Sequence, residues 1–357
     1  MKGLKRLLLA SAISASCIQG AWAIGAYPRP IVMRQPDGTT LLVRIQGDEN
    51  YHFVTSSDGF FLQRDKKGYF CYVDYDLKTG KRTLTRQRAH NIDERTDAEK
   101  KVISRLTASQ TANADYFKRN RIERKAPAKT LDKKVIAPRR VLGKNAKVKE
   151  SQYLVILVNF SDSTMRYKNS DFDRWLNEPG YSVNGGTGSV KDYYRDNSMG
   201  QYVPNFQVVG PYTLSKPTAY YGGNTGDSGT DTNPRDMVRE ALELARQNNP
   251  DLNFAQFDND GDGEMDNCYI IYAGYSEAST ANTDDIWPHS WNFTTADANG
   301  DVPVKPEYDG IKVNNYSCSA ELVGMPGAPA KPSMDGIGTF THEFGHVLGL
   351  KDMYDTD

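Results

Sequence analysis

The sequence predicts an α/β fold for its second half, a sheet with helices packed on it, preceded by a first half of short strands and one helix. Two observations carry this. Runs at residues 153–160, apolar but for Asn159, and at 268–273 have the length and Val, Ile and Tyr content of strands buried on both faces. Amphipathic stretches with cap residues alternate with them at 189–198, 236–247 and 337–350. The chain of 357 residues is long enough for two domains.

The elements follow in order. Lys2, Lys5 and Arg6 precede an apolar run over 7–15, and Ala21-Trp22-Ala23 supplies small residues for cleavage. Residues 1–23 therefore read as a secretory signal peptide, and the protein as secreted to the cell envelope or beyond. The apolar run is far shorter than the ~20 residues of a membrane span. Cys17 raises a lipid anchor as an alternative, but Ser14-Ala15-Ser16 before it is a poor match for one.

Residues 24–117 form a first unit. Strands are expected at 41–45, 60–63 and 69–73, with turns at Asp58-Gly59, Lys67-Gly68 and Thr79-Gly80. A helix is expected over 92–107, capped by Asn91 or Asp93. Residues 118–150 carry 13 basic and 3 acidic residues, with Pro127 and Pro138 and no apolar period. That composition suits a flexible basic linker, or a site where everything before it is removed by proteolysis, and both can hold.

Residues 151–357 form the second unit. A buried strand at 153–160 is followed by a helix over 189–198, capped by Ser189 and stopped near Gly200. Strand follows at 207–210 and 212–214, then an amphipathic helix over 236–247 with Pro234 near its start. A second buried strand at 268–273 and a helix over 337–350 complete the set.

Charge and cysteine narrow the function classes. Residues 1–150 carry 31 Lys and Arg against 15 Asp and Glu, and residues 151–357 carry 13 against 30, leaving +16 and −17. A nucleic-acid binder would make its working domain basic, and this chain does the reverse. Opposite charges on the two halves favour docking of one on the other. With the leader removed, Cys71, Cys268 and Cys318 remain, so one pair at most can form. Cys268 with Cys318 is the conceivable pair, and burial as thiols is the alternative.

The chemistry concentrates in two places. His342-Glu343-Phe344-Gly345-His346 puts two imidazoles one helical turn apart on one face, with a carboxylate beside them. That spacing suits a zinc ion held by His342 and His346, with Glu343 as general base toward water. Gly349 can end the helix in a left-handed conformation and turn the chain back. Asp352 then becomes the third ligand, with Asp355 a less well-placed substitute. The second place is the loop 258–266. Asp258, Asp260 and Asp262 alternate, Gly263 supplies a sharp turn, Glu264 offers a backbone carbonyl and Asp266 a direct or water-mediated contact. This reproduces the first half of a calcium-binding EF-hand loop, although Tyr269 stands at its twelfth position and a strand follows. A structural Ca²⁺ would relieve the repulsion among these carboxylates.

Two other residues invite a role. His289, between Trp287 and Trp291, reads as a packed or surface histidine. Cys71 reads as a core residue in preference to a thiolate that caps a metal.

The segment 341–355, Thr-His-Glu-Phe-Gly-His-Val-Leu-Gly-Leu-Lys-Asp-Met-Tyr-Asp, resembles the active-site signature of the immune inhibitor A family of secreted bacterial metallopeptidases. Segments 189–200, 272–277 and 285–291 resemble the same family's catalytic domain. The resemblance runs from about residue 152 to the end and implies a zincin, metzincin-like domain with a mixed sheet, a backing helix and an active-site helix. It implies a zinc endopeptidase acting on protein or peptide substrates, with 24–117 as an α+β pro-region and intramolecular inhibitor. It further implies a substrate lying along an edge strand near residues 270–275. Related enzymes continue past the zinc motif, whereas this chain stops five residues after Asp352. A truncated product, a fragment and an inactive remnant are the readings of that stop. A catalytically inactive, calcium-stabilised surface or binding protein with a degenerate protease fold is the rival function.

Overall fold

The computed structural model describes residues 26–48, 51–75, 82–106, 149–225, 230–295, 302–324 and 333–350. The leader at 1–23 and nearly all of the basic tract at 118–150 lie outside the described residues.

The first unit is a six-stranded antiparallel meander. Its strands are β1 (Ile31–Arg34), β2 (Thr40–Asp48), β3 (Tyr51–Ser56), β4 (Phe61–Arg64), β5 (Phe70–Tyr75) and β6 (Arg82–Arg88), paired in sequence order. Turns at Gly38, Gly59 and Gly68 have φ of +87°, +93° and +83°, a region that glycine enters without a Cβ penalty. The three expected strands are present as β2, β4 and β5.

The expected helix over 92–107 is shorter than predicted. A single 3₁₀ turn, Ile92–Glu94, precedes α1 (Asp97–Ile103), whose cap is Thr96. Neither Asn91 nor Asp93 caps it, because tertiary bonds claim the segment. The Asn91 side chain accepts from Leu42 N at 2.8 Å and donates to Thr40 O at 3.0 Å, tying it to β2. Arg95 adopts an extended conformation and its guanidinium donates to both oxygens of Asp58.

The second unit is built on a mixed sheet of five main strands and one two-residue strand among the described residues, with helices on both faces. Its strands are β7 (Lys149–Asn159), β8 (Tyr202–Thr213), β9 (Cys268–Tyr275), β10 (His289–Asn292) and β11 (Asn315–Val323), in the order β10-β11-β9-β7-β8. Strands β8, β7, β9 and β11 are parallel, and β10 runs antiparallel on the outer side of β11. A two-residue strand, Ser333–Met334, pairs with the end of β11. The edge strand differs from expectation. Residues 270–275 lie in β9, which is flanked by β7 and β11, and the edge next to β11 is β10. The reason is legible in hindsight: β9 is buried on both faces from Cys268 to Ala273, the mark of an inner strand.

The alternation along β7 divides the core. Leu154, Ile156 and Val158 face α4 (Pro234–Asn248), which packs with Met237, Val238, Ala241, Leu242 and Ala245. Tyr153, Val155 and Leu157 face the other layer, made by α2 (Asn169–Asn177), α3 (Val190–Asn197) and α5 (Ile337–Val347). Ser189 caps α3 as predicted, accepting from Asp192 N at 3.1 Å while Asp192 accepts from Ser189 N. The α5 helix lies on the sheet through Phe340 and Phe344, four residues apart. Phe340 stacks on Tyr269 at 3.9 Å, and Phe344 meets Tyr153, Tyr194 and Phe206 edge-on at 4.7 to 5.3 Å.

The two units touch. Ala278, Ala281 and Trp287 share a core with Ile31, Leu41, Val43, Leu62 and Tyr72 of the meander. Among the described residues no helix is long and apolar enough to cross a membrane.

Phe344→Ala should cost about 3–5 kcal/mol of stability, the range for emptying a buried aromatic site. Urea denaturation checks this, and a loss below about 1 kcal/mol would mean that Phe344 does not anchor α5.

Candidate metal centre

The α5 helix presents His342 and His346 on one face, with ring centroids 4.7 Å apart and planes at 80°. Ligand atoms of His342, Glu343 and His346 all lie within 4.8 Å of one another. Glu343 is fully buried, and both imidazoles are half-buried. Two imidazoles on one face suit zinc or a similar divalent metal as ligands, and the Glu343 carboxylate lies close beside them.

Three contacts hold the helix in place. The Tyr194 hydroxyl donates to Thr341 O at 2.7 Å, immediately before His342. The Ser317 hydroxyl on β11 lies 3.5 Å from Glu343 O and 3.2 Å from the Ser290 hydroxyl on β10. At the C-terminal end Gly349 has φ +81°, and its N–H donates to His346 O at 2.9 Å. Leu350 N donates to Gly345 O at 3.0 Å, which completes a Schellman motif. The left-handed turn expected of Gly349 is thus present.

That turn also serves the second histidine. The Leu350 carbonyl comes within 2.9 Å of His346 Nδ1. A carbonyl only accepts, so Nδ1 carries the proton and Nε2 carries the lone pair. A ligating imidazole is commonly oriented in this way from its far nitrogen. Asp352 and Asp355, the expected third ligand and its substitute, lie outside the described residues.

In the acidic loop the structure brings together Asp258, Asp260 and Asp262. Asp258 organises the turn by accepting from Gly261 N at 2.8 Å, Asp262 N at 3.1 Å and Gly263 N at 2.8 Å. Burial pushes its carboxyl up, but these N–H donors outweigh that and hold it below the usual carboxylate range. Gly263 has φ +86°, the sharp turn read from the sequence. The other two acids point their carboxylates elsewhere. Glu264 pairs with Lys305 at 2.6 Å, and Asp266 accepts from Asn259 N and Nδ2 at 2.9 and 2.6 Å. Asn259 in turn exchanges hydrogen bonds with the backbone of Gln152, which ties the loop to β7.

His289 is packed, as expected: it is buried, its Nδ1 is 2.8 Å from Trp287 O and its Nε2 is 3.1 Å from the Tyr316 hydroxyl. Cys71 is a core thiol, and Cys268 and Cys318 are buried without forming a disulfide with each other. Sequence reasoning missed Tyr194, Ser317 and Glu321. Glu321 is buried on β11 and accepts from Arg166 N at 2.6 Å and Tyr167 N at 2.8 Å, which pins the loop that enters α2. No periodicity flags such residues, because their partners lie 26 to 155 positions away.

The family described as immune inhibitor A peptidase M6, catalytic domain, matches residues 141–357. The chain is 27% identical over 308 residues to the pre-pro-metalloprotease PrtV of Vibrio cholerae, covering 75% of this chain and 32% of that protein. It is 29% identical over 258 residues to immune inhibitor A of Bacillus thuringiensis, covering 60% and 34%. It therefore spans about a third of the length of these curated relatives. The match takes in the mixed sheet, α5 and its His-Glu-x-x-His face, and it covers more than half of the sequence. The chain belongs to the immune inhibitor A family of metallopeptidases.

Proposed function

We propose that the chain is the precursor of a secreted, zinc-dependent endopeptidase that hydrolyses peptide bonds in extracellular proteins. The observation that carries this reading is the convergence of His342, Glu343 and His346, with His346 oriented through Leu350 O. His342 and His346 would hold the zinc, with Asp352 as third ligand on the strength of the sequence spacing. When bound, zinc would supply Lewis acidity toward a scissile carbonyl and toward water. Glu343 takes the proton of the attacking water and delivers it to the leaving amine. Its burial beside β10 and β11 keeps bulk water from competing for that proton.

The remaining parts follow the sequence. Residues 1–23 direct export, 24–117 act as an inhibitory pro-region, 118–150 form the cleavable linker and 151–357 carry catalysis. In the acidic loop, Asp258, Asp260 and Asp262 would hold a structural Ca²⁺, with Glu264 through its carbonyl and Asp266 through Asn259 in support. The tie from Asn259 to Gln152 would pass that bracing on to β7.

Zinc analysis of the purified chain should give about one equivalent, lost in His346→Ala. Zinc in equal amount in both proteins would remove His346 from the ligand set. Glu343→Gln should keep the metal and lose about 10²- to 10⁴-fold in peptide hydrolysis, the usual contribution of a general base. Undiminished turnover in that variant would assign the base elsewhere. Gly349→Ala forces a Cβ into a left-handed turn and displaces Leu350 O, so zinc affinity should fall about tenfold or more. A competition titration with a chromogenic chelator reads this, and unchanged affinity would dismiss the Leu350 contact. Millimolar calcium should raise the thermal midpoint, and Asp258→Asn should abolish the rise.

A further inference from the structure

Where the two units meet, a histidine of the meander lies against a carboxylate of the sheet domain. His52 on β3 stacks flat on Trp287, with ring centroids 3.9 Å apart and planes at 16°. Its Nε2 is 3.2 Å from Glu277 Oε1, and its Nδ1 is 3.2 Å from Asp48 O. All three side chains of this contact are buried: His52 is 6%, Glu277 2% and Trp287 2% exposed. Around them runs an apolar seam in which Ala278, Ala281 and Trp287 join the core of the meander. Tyr27 N also donates to Ala278 O at 2.9 Å across the seam.

The other charges that face this pair are mostly acidic. Asp231 accepts from Trp287 N at 3.4 Å and lies 3.5 Å from His289 Nδ1. Asp285 is held by Thr280 and Asn282, and Asp48 sits behind the imidazole on the meander side. Arg64 of β4 faces Asp284. Glu277 Oε1 also accepts from Asn224 Nδ2 at 2.7 Å. Glu277 Oε2 is buried with no hydrogen-bond partner among the described residues, which leaves His52 and Asn224 as the side chains that meet this carboxylate through Oε1.

We propose that His52, Glu277 and Asp231 form a proton-controlled latch that holds the N-terminal meander on the sheet domain under mildly acidic conditions and loosens it as pH rises. The latch grips residues 276–288, the segment that joins β9 to the edge strand β10. The latch itself stands on the geometry, and its meaning as zymogen control rests on the protease reading above.

The two titrations act with the same sign. Burial opposes the charge on His52, but Glu277, with help from Asp48, outweighs it and raises the imidazole above its ordinary value. That contribution is complete below the ordinary histidine pKa of about 6.5 and is lost as pH rises through the raised value. Burial, and then the charge of Glu277, hold Asp231 well above its usual value. A carboxyl raised by folding costs stability progressively as pH climbs above its unfolded value of about 3.9. Burial raises Asp285 to about 6 in the same sense. Rising pH thus removes the cation and adds anions around a buried Glu277.

Hydrogen exchange on the purified full chain tests this, with rates corrected for intrinsic pH dependence. Between about pH 6 and about pH 8.5, on either side of the histidine range, protection at residues 51–56 and 276–288 should fall about tenfold or more relative to β7. His52→Gln keeps a donor for Glu277 without the charge, so it should show the low alkaline protection at both pH values. Asp231→Asn should gain protection in these segments at about pH 8.5, an outcome that misfolding cannot imitate. The latch is overturned if the two segments track β7 across the range, or if His52→Gln keeps the wild-type profile. An alkaline loss unchanged in Asp231→Asn would equally overturn it. Because the readout needs no turnover, this latch can fail while the protease reading stands, and the reverse.

Discussion

The packing of Phe340 and Phe344 into the sheet is the contact on which the metal site depends. A helix advances about 100° per residue, so positions two apart lie about 200° apart around its axis. His342 follows Phe340 by two positions and His346 follows Phe344 by two. Once the aromatic pair is pressed against Tyr153, Phe206 and Tyr269, the imidazole pair has to face the opposite way. The Tyr194 hydroxyl then fixes the helix along its axis, and the turn at Gly349 fixes the rotation of one imidazole. Positional accuracy at the site is thus inherited from an apolar contact on the far side of the helix.

Strand β11 shows what that close packing requires of its neighbours. Tyr316, Cys318 and Ala320 point into the layer that holds α4. The alternate residues Ser317, Ser319 and Glu321 therefore face the layer that holds α5. Two of these are small, which lets α5 lie close to the strand, and the Ser317 hydroxyl reaches the Glu343 backbone. Glu321 is larger and ionisable; burial raises its carboxyl above the usual range, and N–H donors from Tyr167 and Arg166, with Gly274 farther off, partly offset that. A polar inner strand is tolerable here because Ser317 and Glu321 meet fixed partners, the Ser290 hydroxyl and the N–H groups of Arg166 and Tyr167.

Much of this is legible in the sequence. The runs within β7 and β9 are apolar at 153–158 and 268–273, and the cap Ser189 and the first-turn Pro234 mark the starts of α3 and α4. The His-Glu-x-x-His spacing and Gly349 together specified the face and the end of α5. What stayed hidden was decided by distant partners. Strand β11 alternates polar residues and lacks a hydrophobic signature, although eight of its nine residues are buried. Asn91 looked like a helix cap until β2 claimed its side chain. The edge position passed to β10 because strand order follows pairing, and pairing is not written in local pattern. In the acidic loop the alternation identified three convergent carboxylates, while the Asp266 carboxylate is engaged by Asn259 of the same loop.

The opposite charges of the two halves and the buried contact between them act over different ranges. Surface charge separated by more than about 10 Å is largely screened at 0.1 M salt. Most of the +16 excess lies in residues 1–23 and 118–150, and residues 24–117 carry 15 basic against 12 acidic residues, so charge draws the meander only weakly and does not fix how it fits. The fit comes from Trp287, Ala278 and Ala281 entering the core of the meander, and from His52 lying between Trp287 and Glu277. These contacts exclude water, so salt screens them poorly and protons act on them directly. Trp287 stands two residues before His289, which opens β10, and β10 packs beside α5. Whatever holds or frees the Trp287 segment is thus connected to the metal face by one short strand, without any contact between the meander and the histidines themselves being required.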